Sequence, residues 1–196
     1  MSIYSILGEK TVGIAGAGGL GSNIATLLTR MKVGHLVIVD YDVVEAVNLN
    51  RQNYALDQVN QKKVKACKDV LRQINKTIQI DTHDLKLTPQ NIKEVFKDVD
   101  IIIEAFDLPE EKVMLTEFVL KHMPEKILIG ASGIAGYESN NTITTRRVND
   151  RFYLVGDSKS KAELGMYGPR VNIVAAMQAN TAIRVLMGEM NVWIKI

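Results

Sequence analysis

The sequence predicts an α/β fold of Rossmann-like type: a mainly parallel sheet with helices on both faces and a short antiparallel C-terminal extension. Three observations predict it. Short apolar runs alternate with helix-period stretches from about residue 11 to residue 131, the pattern of parallel strands joined by right-handed crossovers. The first apolar run opens directly onto a glycine-rich loop, "GIAGAGGLGSN" (13–23). From about residue 137 the alternation stops and two strand-like segments follow each other without a helix between them.

The elements follow in order. "TVGIAG" (11–16) is an apolar run ending in glycine and reads as a buried strand; residues 19–32 place Leu20, Ile24, Leu27, Leu28 and Met31 at helical spacing. "HLVIVD" (35–40) is a second buried strand. Residues 60–75 form a lysine-rich helix with Val64, Cys67, Val70, Leu71 and Ile74 on one face. Strand 77–82, helix 89–97, strand 100–105, helix 110–122 and strand 126–131 continue the alternation. "YESNNTITTRRV" and "RFYLVGD" read as antiparallel strands with "VNDR" (148–151) as their turn. The lysines at 159 and 161 mark a loop, and a last helix over about 170–187 stops near Gly188.

Composition narrows the class. A chain of 196 residues suits one domain and buries roughly 70% of the surface of its unfolded form. Hydrophobic residues make up 46% and charged residues 23%, with 24 basic against 22 acidic side chains; no nucleic-acid partner is expected from that balance. No apolar run is long enough to cross a membrane, and "MSIYSILGEK" lacks the apolar core of a signal peptide. The single cysteine, Cys67, excludes an internal disulfide or a multi-cysteine metal site. A cytoplasmic protein without membrane association is the expectation.

The glycine loop points to a phosphate. Gly16, Gly18 and Gly21 satisfy G-x-G-x-x-G between a strand and a helix, and Gly19 and Leu20 complete the turn. The helix that starts there aims unpaired N–H groups and its positive dipole end at an anion. Asp40, nineteen residues after Gly21, ends the second strand where an acid accepts hydrogen bonds from ribose hydroxyls. These features fit NAD as well as ATP.

The segments after Asp40 separate the two. "YDVVEAVNLNRQNY", "NQKKVKACKDVL" and "DIIIEAFDLPEEK", taken in order with "GAGGLGS", resemble the ThiF/MoeB family of adenylyltransferases, relatives of the adenylation domains of ubiquitin-activating enzymes. The resemblance extends over nearly the whole chain, through "GMYGPRVNIVAAMQANTAIRVLMG", and implies one adenylation domain over 1–196. It implies that ATP activates the C-terminal glycine carboxylate of a small ubiquitin-fold protein, giving an acyl-adenylate and pyrophosphate. Arg51 would offer a planar fork to phosphate oxygens and Lys63 a compact charge. Asp107 would hold Mg²⁺, Asn48 would position the nucleotide or its phosphates, and Asp40 would take the ribose. Asp42 would support the loop or contact the nucleotide. Lys63 among solvated lysines, and Asp107 as a helix cap, are the bland alternatives.

Three departures from the family pattern bear on function. The chain lacks the paired C-x-x-C motifs of zinc-binding relatives, so no zinc is expected. It has no cysteine after residue 131 for a covalent carrier intermediate, and Cys67 reads as packing. Only ten residues precede Thr11, none of them arginine, whereas longer relatives send an arginine from that region to the partner subunit's ATP; either another basic residue such as Arg146, Arg147 or Arg170 substitutes, or catalysis is weaker. The pattern most resembles the short ThiF-like proteins of thiamine biosynthesis, which implies a ThiS-like sulfur carrier as partner and a homodimer. A groove for the carrier's tail is expected near Asp107 and 133–136. An NAD-dependent oxidoreductase and a non-catalytic adenylation-fold subunit are the competing classes.

Overall fold

The computed structural model describes residues 2–190; the ends of the expected 1–196 domain lie outside the described residues. Seven strands form one sheet in the order β3-β2-β1-β4-β5-β7-β6. The strands are β1 (Thr11–Ala15), β2 (His35–Asp40), β3 (Gln79–Asp84), β4 (Ile101–Glu104), β5 (Ile127–Ala131), β6 (Thr144–Asn149) and β7 (Phe152–Gly156). β1 to β5 are mutually parallel. The antiparallel extension is built into the same sheet: β7 pairs parallel with β5, and β6 is laid antiparallel along β7 as the edge.

Each central strand is apolar on both faces because helices cover both. Val12 and Ile14 of β1, Leu36 and Ile38 of β2, and Ile101 and Ile103 of β4 face one core with helices α2 (Gly19–Arg30), α3 (Lys63–Ile74) and α6 (Gly168–Leu186). Ala15, Val37, Val39 and Ile102 point the other way, toward α4 (Ile92–Val95) and α5 (Pro109–His122). Alternate side chains leave opposite faces of a strand, so a sheet covered twice reads as a continuous apolar run. On α6, Val171, Val174, Ala175, Gln178, Ala179, Ala182 and Val185 form the buried stripe; packing within the chain explains its apolar character.

Local hydrogen bonds account for the shifts from expectation. The Asn75 side chain accepts from both the backbone and the hydroxyl of Thr77, so the turn runs on and β3 begins at Gln79 instead of 77. Asn91 accepts from the Thr88 amide and donates to the Lys86 carbonyl, which shortens the expected helix 89–97 to the single turn of α4. Of the expected strand 137–148, only β6 pairs; its first part forms a 3₁₀ turn over Asn140–Thr142. A short helix α1 (Ile3–Leu7), capped by the Ser2 hydroxyl, precedes β1. Among the described residues no helix is long and apolar enough to cross a membrane.

Candidate functional site

The strand order reverses between β1 and β4, and a cavity of about 700 Å³ opens at the carboxyl ends of the strands around that point, where open α/β sheets bind ligands. Gly16, Gly18, Gly19, Leu20, Asp40, Asp42, Arg51, Lys63 and Asp107 all line it. Segments scattered over ninety residues of sequence meet there. Gly21 and Asn48 do not line it.

Gly21 has a structural task. A Cβ at that position would lie 1.9 Å from the Gly16 carbonyl oxygen, while Gly16 itself turns with φ +104°. The loop therefore folds back on its own backbone, which only glycine permits here. The peptide of Ala17, at the loop's apex, is clamped from both sides. Its amide donates to Asp40 Oδ2 at 2.7 Å, and its carbonyl accepts from the Tyr54 hydroxyl at 2.6 Å.

Asp40 uses its other oxygen to accept from the Asp42 amide at 2.8 Å. A carboxylate has about four acceptor sites, so these bonds leave capacity for ribose hydroxyls. Burial raises the Asp40 carboxyl above the ordinary aspartate range, and Lys63 with the two amides only partly offsets it.

The "NLNRQNY" segment is stitched to the start of α2. Asn23 donates to the carbonyls of Gly19 and Arg51, and the Ser22 hydroxyl accepts from the Asn53 amide. This fastening carries Arg51 to the phosphate loop. Its guanidinium donates to Asn48 Oδ1 at 3.1 Å and Asn50 Oδ1 at 2.9 Å. Asn48 thus acts from behind the site by aiming Arg51. Both partners are neutral, so the positive charge of Arg51 lines the cavity with no carboxylate paired to it among the described residues.

Lys63 is not one of the solvated lysines of α3: its residue is 6% exposed, while Lys62 and Lys65 are open to solvent. Its ammonium donates to Asp42 Oδ2 at 2.8 Å. An antiparallel bridge between Val43 and Lys62 folds the intervening loop back and fixes that geometry. Asp107, just past β4, is exposed on the cavity wall. It does not cap α5; the cap position is Leu108, with no side-chain bond. Its carboxylate has no hydrogen bond or ion pair among the described residues.

Sequence reasoning missed several cavity residues. Lys112 of α5 pairs at 2.8 Å with Glu104, whose side chain is 2% exposed at the end of β4. Glu104 also accepts from the amides of Phe106 and Ala131, so the pair holds together the two loops that flank Asp107. Gln52 lines the cavity beside Gly18, buried, with an Oε1 that has no hydrogen-bond partner among the described residues. Lys161 and Glu111 also line it. Gln52 stood next to Arg51 in the motif and was legible in principle; Lys112 and Glu111 sit on a helix where only packing tells an inward charge from a solvated one.

The far wall is built from 131–135 and 160–166. Arg170 does not reach the cavity as a substitute cation. It is buried against Asp157 at 2.6 Å, with the two side chains 4% and 5% exposed, and donates to the carbonyls of Glu138 and Ser139. Arg147 pairs with Asp150, and neither it nor Arg146 lines the cavity. Gly133, in the stretch where a groove for the carrier's tail is expected, lines the cavity and packs against its own wall: a Cβ there would lie 2.0 Å from Asp157 Oδ1, at φ +73°. Cys67 is buried, and burial pushes its thiol up to about 12, the behaviour of a packing residue.

The sequence model of the ThiF family matches residues 4–195. The adenylyltransferase and sulfurtransferase UBA4 of Candida glabrata is 30% identical over 196 residues, covering 94% of this chain and 44% of UBA4. This chain therefore spans less than half the length of that relative. The molybdopterin-synthase adenylyltransferase of Haemophilus influenzae is 33% identical over 180 residues, covering 88% of this chain and 72% of the relative. The fold is that of the E. coli tRNA N6-threonylcarbamoyladenosine dehydratase TcdA, solved in complex with AMP, with a TM-score of 0.86 at 20% identity over 95% of this chain and 90% of TcdA.

Proposed function

This chain belongs to the ThiF family, and we propose that it is an ATP-dependent adenylyltransferase acting on the C-terminal carboxylate of a ubiquitin-fold carrier protein. The observation that supports this best is the gathering of the phosphate loop, Asp40, Arg51, Lys63 and Asp107 around one cavity. Asp40 takes the ribose, and the loop amides with the α2 N-terminus cradle the phosphates. The carrier's carboxylate attacks the α-phosphorus as the bond to the bridging oxygen breaks, so negative charge grows on the departing pyrophosphate. Arg51, with no carboxylate paired to it among the described residues, and Lys63 stabilise that charge because they are held in place beforehand. Asp107 fits a magnesium site of one carboxylate completed by phosphates, since its carboxylate is free on the wall. Mg²⁺ bound there would draw charge from the phosphate oxygens.

Within this reading the carrier is of the ThiS type and serves thiazole formation in thiamine biosynthesis, through one adenylation domain over 1–196 working in the cytoplasm as a homodimer. The name of the Haemophilus influenzae relative makes a molybdopterin-type carrier the direct competitor. Two measurements test the proposal. Mg-ATP at about a hundred times its dissociation constant should stabilise the fold by roughly 2.7 kcal/mol, visible in a thermal melt; a shift with NAD⁺ and none with Mg-ATP overturns it in favour of an oxidoreductase. Carrier-dependent exchange of labelled pyrophosphate into ATP, run with ThiS-type and molybdopterin-type carriers in parallel, then identifies the substrate. Nucleotide binding without exchange on either carrier points to a non-catalytic subunit.

A further inference from the structure

The cavity combines apolar lining residues with a buried carboxylate. Val39, Leu85, Leu87 and Phe106 line it beside Asp40 and Tyr41, a surface suited to the faces of a nucleobase. Glu111, in the first turn of α5, lines the same cavity although its side chain is only 9% exposed. A carboxylate with so little exposure is retained only with partners, and both of its partners converge on one oxygen. The Lys86 ammonium meets Oε1 at 3.0 Å, and the Tyr41 hydroxyl donates to the same Oε1 at 3.4 Å. Oε2 has no hydrogen bond among the described residues.

Resting on the nucleotide site proposed above, we infer that Glu111 reads the base through Oε2, accepting a hydrogen bond from the 6-amino group of adenine. An ionised carboxylate accepts and never donates. It therefore rewards an amino group and repels the 6-oxo group that hypoxanthine and guanine carry at that position. Guanine is matched by a carboxylate offering two free oxygens to its two adjacent donors, and here Lys86 and Tyr41 occupy one of them. Glu111 is a specificity residue: it touches the base and takes no part in the chemistry at phosphorus.

The test compares calorimetric affinities for Mg-ATP and Mg-ITP in the wild-type chain and in Glu111→Gln. The wild type favours ATP, and the ratio of the two affinities falls by roughly tenfold to a hundredfold in the variant, the range for one hydrogen bond to a charged group. Glutamine has the same shape but also presents a donor, so it tolerates either base. An unchanged ratio in Glu111→Gln, or equal affinities in the wild type, overturns the assignment while leaving the nucleotide site standing. Failure of the wild type to bind either nucleotide overturns the site itself. Should the variant not fold, the triphosphate of purine riboside, which lacks the 6-amino group, decides the matter on the wild type: weaker binding than ATP supports the assignment, equal binding overturns it.

Discussion

The cavity has two walls that are made rigid in different ways. On the nucleotide side, order comes from contacts that join three segments, 16–23, 40–42 and 48–54. Gly21 lies against Gly16, Asp40 and Tyr54 clamp the Ala17 peptide, and Asn48 and Asn50 aim Arg51 from three residues and one residue away. On the opposite side, residues 131–135 and 160–166 have little regular structure. One buried ion pair, Asp157 with Arg170, ties that wall to α6, and the same guanidinium holds the 138–142 segment. Both walls carry many modest hydrogen bonds, and the second adds one large interaction, the buried Asp157–Arg170 pair. Single substitutions should therefore affect the two walls very differently.

The largest expected effect is on the second wall. Arg170→Met leaves Asp157 buried without its cation and should cost about 3–5 kcal/mol, read as a fall in the midpoint of urea unfolding. Arg170→Met combined with Asp157→Asn should recover much of that loss; a single variant with wild-type stability would mean that the wall is held by something else. The same pair predicts a pH dependence. Burial pushes the Asp157 carboxyl up, but the amides of Ser160 and Lys159 and the Arg170 guanidinium more than offset this, so it sits below the ordinary aspartate range. Its contribution to stability is thus complete above about pH 4 and is lost as the pH falls through the lowered value. Thermal melts of wild type and Asp157→Asn should converge in acid.

On the nucleotide wall, the sharpest effect is functional. Arg51→Ala should cut carrier-dependent pyrophosphate exchange by roughly a hundredfold or more with little change in the melting curve. Exchange near the wild-type rate would remove Arg51 from the chemistry. Tyr54→Phe deletes the hydroxyl that holds the Ala17 carbonyl and should cost about 1 kcal/mol, with ATP affinity weakened through the loosened loop; unchanged affinity would show that Asp40 alone sets the loop. The smallest effect belongs to Cys67→Ala. Loss of one packed atom should lower stability by about 1 kcal/mol and leave exchange untouched, and the native thiol should resist a thiol reagent until the protein unfolds.

The same contrast explains what could be read in advance. The phosphate loop and the end of β2 were legible because each follows local rules, strand into glycine turn into helix and an acid closing the next strand, while the "NLNRQNY" segment was legible only by resemblance to a family. Lys63 was distinguished from its lysine neighbours only by resemblance to the family, and its burial supplies the physical reason. At the far wall, nothing in the local sequence says that Asp157 comes to lie against both Gly133 and Arg170, so the burial of Arg170 away from the cavity was not legible. Such pairings arise only when distant segments pack, and no periodicity records them.

From the sequence alone came the alternating architecture, the glycine loop and Asp40, because strand and helix periods and turn chemistry are properties of neighbouring residues; the set of Arg51, Lys63 and Asp107 came from resemblance to a family. The tertiary structure alone decided that Asn48 aims Arg51, that Lys112 pairs with Glu104 at the cavity, and that Glu111 lines the cavity with Lys86 and Tyr41 on one oxygen. Whether a charged side chain on a helix meets water or a ligand depends on what packs against that helix, and that is set by contacts between residues far apart in the chain.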